Sequence, residues 1–285
     1  MTLNFARVPN LEKLILKGCT KLSKIDSSLG DLKHLILLDL TNCKNLSSLP
    51  GAICSLTSLK TLTLSGCLKL DNMPMNLGNL EGLEELDVSG TAIREPPSSI
   101  LCLKNLKKLS FQGCNGPSSK SWSRKKLLDF LLMKKTPDLM GLVLPSVSGL
   151  CSLTRLNIRN CNLQAVPSDI GCLSSLEKLD LSENNFVCLP KNISQLSNLQ
   201  SFWVENCKSL QLLPEIWASP YVTVMANGCT SLETLLPLKT KDNYHHIHFY
   251  LLNCFQFDNR GRCDLFTTIP GKYFQVSLSL SLGFL

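Results

Sequence analysis

Apolar residues recur along the chain as L-x-x-L-x-L, with the first of each set at Leu11, Leu35, Leu59, Leu83, Leu106, Leu153, Leu176 and Leu199. Successive steps are 24, 24, 24, 23, 47, 23 and 23 residues, and a weaker copy follows after 22 more at Tyr221, Val224 and Ala226. Period-two alternation within each set predicts a short strand with leucines inward and polar residues outward. A Leu-Pro or near equivalent comes next, at Leu49-Pro50, Met73-Pro74, Val166-Pro167, Leu189-Pro190, Leu213-Pro214 and Leu236-Pro237. Proline lacks an N–H and disfavours helix in the residue before it, so the chain leaves the strand side extended. An apolar triplet such as Ile53, Leu56 and Leu59 then brings it back, through irregular or 3-10-like turns.

Three positions after the last apolar residue of each set stand Cys19, Cys43, Cys67, Thr91, Cys114, Cys161, Asn184, Cys207 and Cys229. A ladder position taking Asn or Cys after L-x-x-L-x-L is the leucine-rich-repeat pattern. It predicts an α/β solenoid: a leucine-rich-repeat horseshoe with a parallel concave β-sheet, an irregular or 3-10 convex side and a short β-rich C-terminal remnant. About nine coils span residues 1–238, with an irregular basic excursion at 115–149; residues 239–285 form a partial post-repeat β-rich segment. Copies of 24 residues read C-x-x-L after the ladder position and copies of 23 read one residue shorter, so the variable residue sits at a turn and leaves strand register alone. A coil cannot bury its leucines by itself, and stacking does so. The first set begins at Leu11, so the N-terminal face of coil one would lie bare, and a domain upstream is expected.

The chain has fourteen cysteines. "MTLNFARVPNLEKL" has no apolar run like that of a signal peptide, and no stretch is long enough to cross a membrane, so reduced thiols are expected. The expected location is cytoplasmic or nucleo-cytoplasmic, and the sequons at Asn45 and Asn192 should go unused. Ladder cysteines point into the coil beside leucines, where a thiol fills a small space and donates weakly to a neighbouring coil. Identical side chains pointing the same way have poor geometry for bridging.

Charge changes this picture little. The formal net charge is +7. Lys120, Arg124, Lys125, Lys126, Lys134 and Lys135 face only Asp129 within one short segment. No broad basic face for nucleic acid is left elsewhere. That segment belongs to the excursion, which is either a degenerate coil (Leu128, Leu131, Met133 and Thr136 fit the template) or a loop that rejoins the solenoid near Pro145. Beyond Leu238 the tail carries mixed aromatic and β-branched residues, and "VSLSLSLGFL" alternates as a strand would. His245, His246, His248, Cys254 and Cys263 lack a zinc-type spacing and read as residues of a strand region. No phosphate loop, dinucleotide fingerprint, nucleophile elbow or H-E-x-x-H occurs, so no enzyme, cofactor or metal is expected.

Binding is then expected on the residues between and beside the strand leucines. The candidates are Glu85, Asp87, Lys108, Arg155, Arg159, Lys178, Asp180, Trp203 and Glu205, with Trp203 as anchor. Their charges vary in sign from coil to coil, which suits a protein ligand better than a polyanion.

The phrases "VPNLEKLILKGCTKL", "SGTAIREPPSSI", "GPSSKSWS", "LPSVSGLCSL", "DIGCLSSLEKLDLSENNF" and "ANGCTSLETL" resemble the leucine-rich part of plant intracellular immune receptors of the TIR–nucleotide-binding–leucine-rich-repeat class. "LLNCFQF" resembles the opening of the β-sandwich domain that follows the repeats there. The TIR and nucleotide-binding domains, with their catalytic and switch residues, have no counterpart in this sequence. The resemblance implies a recognition region that binds a pathogen effector or a guarded host protein and restrains the N-terminal switch domains, without nucleic acid and without stable membrane insertion. The alternative is a stand-alone cytosolic scaffold that holds signalling proteins together.

Overall fold

The computed structural model describes Phe5 and residues 7–115, 141–144, 146–214, 221–235, 246–254 and 274–277. Two compact units, Met1–Pro145 and Ser146–Leu285, divide the chain.

In the first unit, β1 (Lys13–Ile15), β2 (Leu37–Asp39), β3 (Thr61–Thr63), β4 (Glu85–Asp87) and β5 (Lys108–Ser110) pair in chain order, all parallel. The register advances one coil at a time, Lys13 beside Leu37 and Leu37 beside Thr61. Leu38, Leu62, Leu86 and Leu109 at the strand centres are buried, while their neighbours face outward. The return side carries 3-10 turns at Ser27–Asp31, Gly51–Ser55, Leu77–Asn79 and Ser98–Cys102, as the sequence predicted. Pro50 and Pro97 stand extended immediately before two of them, and the turns bury Ile53 and Ile100.

The strand leaves its plane at the residue before the ladder position, which takes a left-handed conformation in every coil of this unit: Gly18, Asn42, Gly66, Gly90 and Gly113. Glycine and asparagine reach that region at least cost. Gly66 has a second reason. A Cβ there would collide with the Asn42 side-chain oxygen of the preceding coil. Ladder thiols then reach back one coil: Cys43 Sγ donates to Leu16 O (3.1 Å), Cys67 to Leu40 O (3.2 Å) and Cys114 to Val88 O (3.1 Å). Cys19 differs. Expected in the core, it is exposed, because each thiol is covered by the coil before it and no such coil lies among the described residues.

The 47-residue step resolves in part. Leu142 is buried and Val143 N–H donates to Arg94 O at 2.8 Å, so the chain is back beside the fourth coil by Gly141–Leu144. The basic stretch 116–140, read as loop or degenerate coil, lies outside the described residues.

In the second unit β6 (Arg155–Asn157), β7 (Lys178–Asp180), β8 (Ser201–Trp203), β10 (Tyr221–Met225), β12 (His246–Tyr250) and β13 (Phe274–Ser277) form one parallel run. A separate pair joins β9 (Leu212–Leu213) to β11 (Thr234–Leu235). Turns at Ser168–Cys172 and Lys191–Gln195 follow Pro167 and Pro190. Asn184 takes the ladder position with more bonds than a thiol makes. Its Nδ2 donates to Ile158 O and Leu181 O, and its Oδ1 accepts from Cys161 N–H and Leu163 N–H.

Repeat features continue past residue 238, where a separate segment was expected. β12 pairs with β10 in parallel, Met225 beside Tyr250. Phe249, Leu251 and Cys254 are buried, and Asn253 takes the left-handed conformation. Cys254 Sγ donates to Ala226 O at 2.7 Å, as ladder thiols do elsewhere. His246 in place of the first leucine hid this coil, since Phe-x-Leu-x-x-Cys alone carries the pattern. Cys254 is thus a core thiol here, while His245 and Cys263 lie outside the described residues.

Candidate functional site

The outward strand positions fall into columns, because parallel pairing puts each residue beside its equivalent one coil on. In the first unit the charged residues on and beside β4 and β5 pair with one another. Lys108 Nζ meets Glu85 Oε1 at 2.5 Å across β4 and β5. One position earlier, Glu84 accepts from Lys107 (2.7 Å) and Lys60 (3.1 Å), and these bonds hold its carboxyl below the ordinary value. Asp87 acts locally. Its Oδ1 accepts from Ser89 N–H at 2.9 Å, fixing the turn that leads to Gly90. Around it lie hydroxyls, with Ser89 Oγ and Ser110 Oγ 2.7 Å apart.

In the second unit, Arg159 pairs with Glu183 (2.6 Å), which raises the guanidinium's pKa. Asp180 Oδ1 accepts from Ser182 N–H (2.9 Å), repeating the turn of Asp87. Glu205 accepts from Asn227 Nδ2 at 2.8 Å. Arg155 and Lys178 lie side by side on β6 and β7 with no ion pair to any described residue. Next along the sheet, Trp203, Met225 and Tyr250 occupy one column on β8, β10 and β12, all half-buried. Trp203 Nε1–H donates to Met225 Sδ at 3.0 Å. Exposed Tyr221 lies at the start of β10.

The nine residues singled out in the sequence thus separate by unit. Glu85, Asp87 and Lys108 share the first unit, where the two chargeable partners Glu85 and Lys108 engage each other. Arg155, Arg159, Lys178, Asp180, Trp203 and Glu205 share one face of the second. Sequence reasoning missed Met225 as the partner of Trp203, and Tyr250 beyond it. The signal for Tyr250 was present in "FYLLNC", once the missing first leucine is allowed.

Burial acts differently on the ladder thiols along the chain. Burial pushes the Cys67 thiol up to about 12 and raises Cys114 as well. Cys229, hydrogen-bonded to the thiols of Cys207 and Cys254, is held well above the usual range, and the same hydrogen bonds lower Cys207 and Cys254. The raised thiols, Cys67, Cys114 and Cys229, stay protonated, and protonated thiols are poor nucleophiles and poor ligands. No group of three or more His, Cys, Asp or Glu among the described residues is placed to hold a metal ion. No helix among them is long and apolar enough to cross a membrane.

Family comparisons follow the same periodicity. A model described as leucine-rich repeat region matches residues 14–120, and a leucine rich repeat model matches residues 151–208. No curated protein matches the sequence. Among solved structures, a leucine-rich-repeat protein of Leptospira interrogans is 26% identical, with a TM-score of 0.43, over 78% of this chain and 62% of that one. The plant peptide hormone receptor RGFR1, solved with RGF2, is 19% identical, with a TM-score of 0.39, over 90% of this chain and 45% of its own. The leucine-rich repeat domain of the type III effector XopL is 22% identical, with a TM-score of 0.40, over 82% and 59%. The chain therefore spans less than two thirds of each of these structures. With leucine-rich-repeat models matching over half its length, and with coils, 3-10 turns and ladder residues built as described, the chain belongs to the leucine-rich-repeat family.

Proposed function

We propose that the outer sheet face of this chain recognises a protein, and that it does so as the sensing region of an intracellular plant immune receptor. The observation that carries the recognition reading is the column Trp203, Met225 and Tyr250, an apolar row left half open to solvent on an otherwise polar sheet face. Aromatic side chains in such settings dominate interface energetics. The plant immune assignment rests on the phrases quoted from the sequence. In that setting the partner is a pathogen effector or a guarded host protein, and the bound state releases N-terminal switch domains from restraint in the cytoplasm. The chain itself acts as a binding scaffold, not as a catalyst.

Affinity capture from pathogen-challenged plant tissue tests this, with the full chain beside Trp203→Ala and Arg155→Glu variants that melt like wild type. A partner identified by mass spectrometry and lost by both variants is the expected result. Equal retention by all three would remove the outer-face reading.

A further inference from the structure

Like charges directly opposite one another on neighbouring strands repel and destabilise a sheet. In the first unit no described cation of the strand columns β4 and β5 bears that cost, since Lys108 lies against Glu85. In the second, Arg159 lies against Glu183. Arg155 and Lys178 are the exception: they are register partners, one exposed and one half-buried, with no carboxylate at ion-pair distance among the described residues. Asp180, on the same strand as Lys178, commits Oδ1 to Ser182 N–H. A cationic pair so placed is complementary to an anion arriving from outside.

What continues from that pair narrows the anion to part of a polypeptide. The column runs from Arg155 and Lys178 through Ser201 and Thr223, whose hydroxyls can bond peptide groups, to His248. Beside it runs the column Asn157, Asp180, Trp203, Met225 and Tyr250, whose one carboxylate, Asp180, already accepts from Ser182 N–H. Strands lie about 4.8 Å apart and the two columns stand two residues, about 7 Å, apart along the strands, so Met225 is about 12 Å from Lys178 and about 16 Å from Arg155. An extended chain rises about 3.3 Å per residue and covers that span in roughly four to five residues.

We infer that this face takes an extended protein segment bearing acidic side chains followed, roughly four to five residues on, by an aromatic or large aliphatic side chain. The acids sit on Arg155 and Lys178, the apolar side chain sits on Trp203 and Met225 towards Tyr250, and the segment crosses the strands. This deepens, and rests on, the reading of the face as a recognition surface.

Selection of a random linear peptide library on the full chain tests it, run in parallel on an Arg155→Glu, Lys178→Glu double variant and on Trp203→Ala. The expected consensus is acidic residues, a short spacer and an apolar residue. A synthetic peptide of that consensus should bind at least tenfold more weakly to each variant and more weakly as salt is raised, and the double variant should enrich basic peptides instead. A consensus without acids, lost on Trp203→Ala but indifferent to the charge reversals, would overturn the acidic segment and keep the recognition face. Peptides indifferent to all three substitutions would overturn both. Failure to enrich any peptide would overturn the linear segment, leaving the face to be judged by capture of a folded partner. The charge reversals lie on exposed and half-buried side chains, so they decide the matter even if Trp203→Ala does not fold.

Discussion

The two units are built from the same coil yet present different outer faces. In the first, Glu84 lies between Lys60 and Lys107, and Glu85 lies against Lys108. In the second, Arg155 and Lys178 stand together with no ion pair to a described acid, and Trp203, Met225 and Tyr250 continue the surface. Paired surface charges satisfy themselves and have little left for a partner. Unpaired like charges beside a half-open apolar row store a small electrostatic cost that only a ligand removes. The difference teaches that charge content alone does not distinguish the two faces: pairing does.

The sharpest contrast lies inside, at the ladder. Cys67 makes one side-chain bond, whereas Asn184 serves at least two carbonyls and two N–H groups. Asn184→Leu should cost about 3 kcal/mol or more, because buried backbone groups lose their partners. Cys67→Ala should cost about 1–2 kcal/mol, as a lost small apolar group and a weak bond. Hydrogen exchange resolved by unit measures each loss where it occurs. Equal costs would show that the two ladder residues do the same work.

The next contrast concerns the turn before the ladder. The first unit uses Gly18, Asn42, Gly66, Gly90 and Gly113 there, while the second uses Asn160, Glu183, Asn206, Gly228 and Asn253. Gly66→Ala should destabilise by about 1–2 kcal/mol, from the left-handed backbone and the crowding against Asn42. Glu183→Gly should relieve that backbone cost, by about 1 kcal/mol, against the smaller loss of a half-buried ion pair to Arg159. Chemical denaturation of both variants should therefore move midpoints in opposite directions. A destabilised Glu183→Gly would mean that the Arg159 pair outweighs backbone strain.

Much of this was legible in the residues, for definable reasons. L-x-x-L-x-L and the Leu-Pro pairs encode strands and turns locally, so β2, β3 and the turns after Pro50 and Pro190 followed from spacing alone. Dipeptides such as Gly66-Cys67 and Asn206-Cys207 also carried the left-handed turn, but in two residue types that share a backbone preference rather than a side chain. The coil at His246–Tyr250 was obscured because its first apolar position is not apolar. Pairing was not legible. Lys108 and Lys178 occupy equivalent positions, and only the neighbour across the strand, Glu85 or Arg155, distinguishes them.

That distinction predicts opposite signs for the same substitution. Lys108→Glu places an acid against Glu85 and should destabilise the first unit by about 0.5–1 kcal/mol. Lys178→Glu places an acid against Arg155 and should stabilise the second by about 0.5 kcal/mol, while abolishing binding of an acidic segment. Thermal melts at low and high salt should show both effects shrinking as salt screens them. Two changes of the same sign would break the contrast between paired and unpaired faces.

The smallest expected effect is in the pH dependence of the first unit. Hydrogen bonds from Lys107, then from Lys60, favour the charged form of Glu84 and lower its pKa from 4.5 in the folded state. A carboxyl whose folded pKa is depressed contributes stability that is fully present above its unfolded value. That contribution is lost as pH falls from about there through the folded value, because the unfolded chain takes up the proton first. Acidification below 4.5 should therefore weaken the first unit in wild type. Glu84→Gln should remove this part of the slope, and raising the salt should shrink it, since the group is partly open to solvent. Unit-resolved hydrogen exchange in that range, wild type beside Glu84→Gln, isolates the contribution. An identical acid slope in both proteins would mean that the Lys60–Glu84–Lys107 bonds leave the carboxyl unperturbed, and that the first face is less self-satisfied than its geometry indicates.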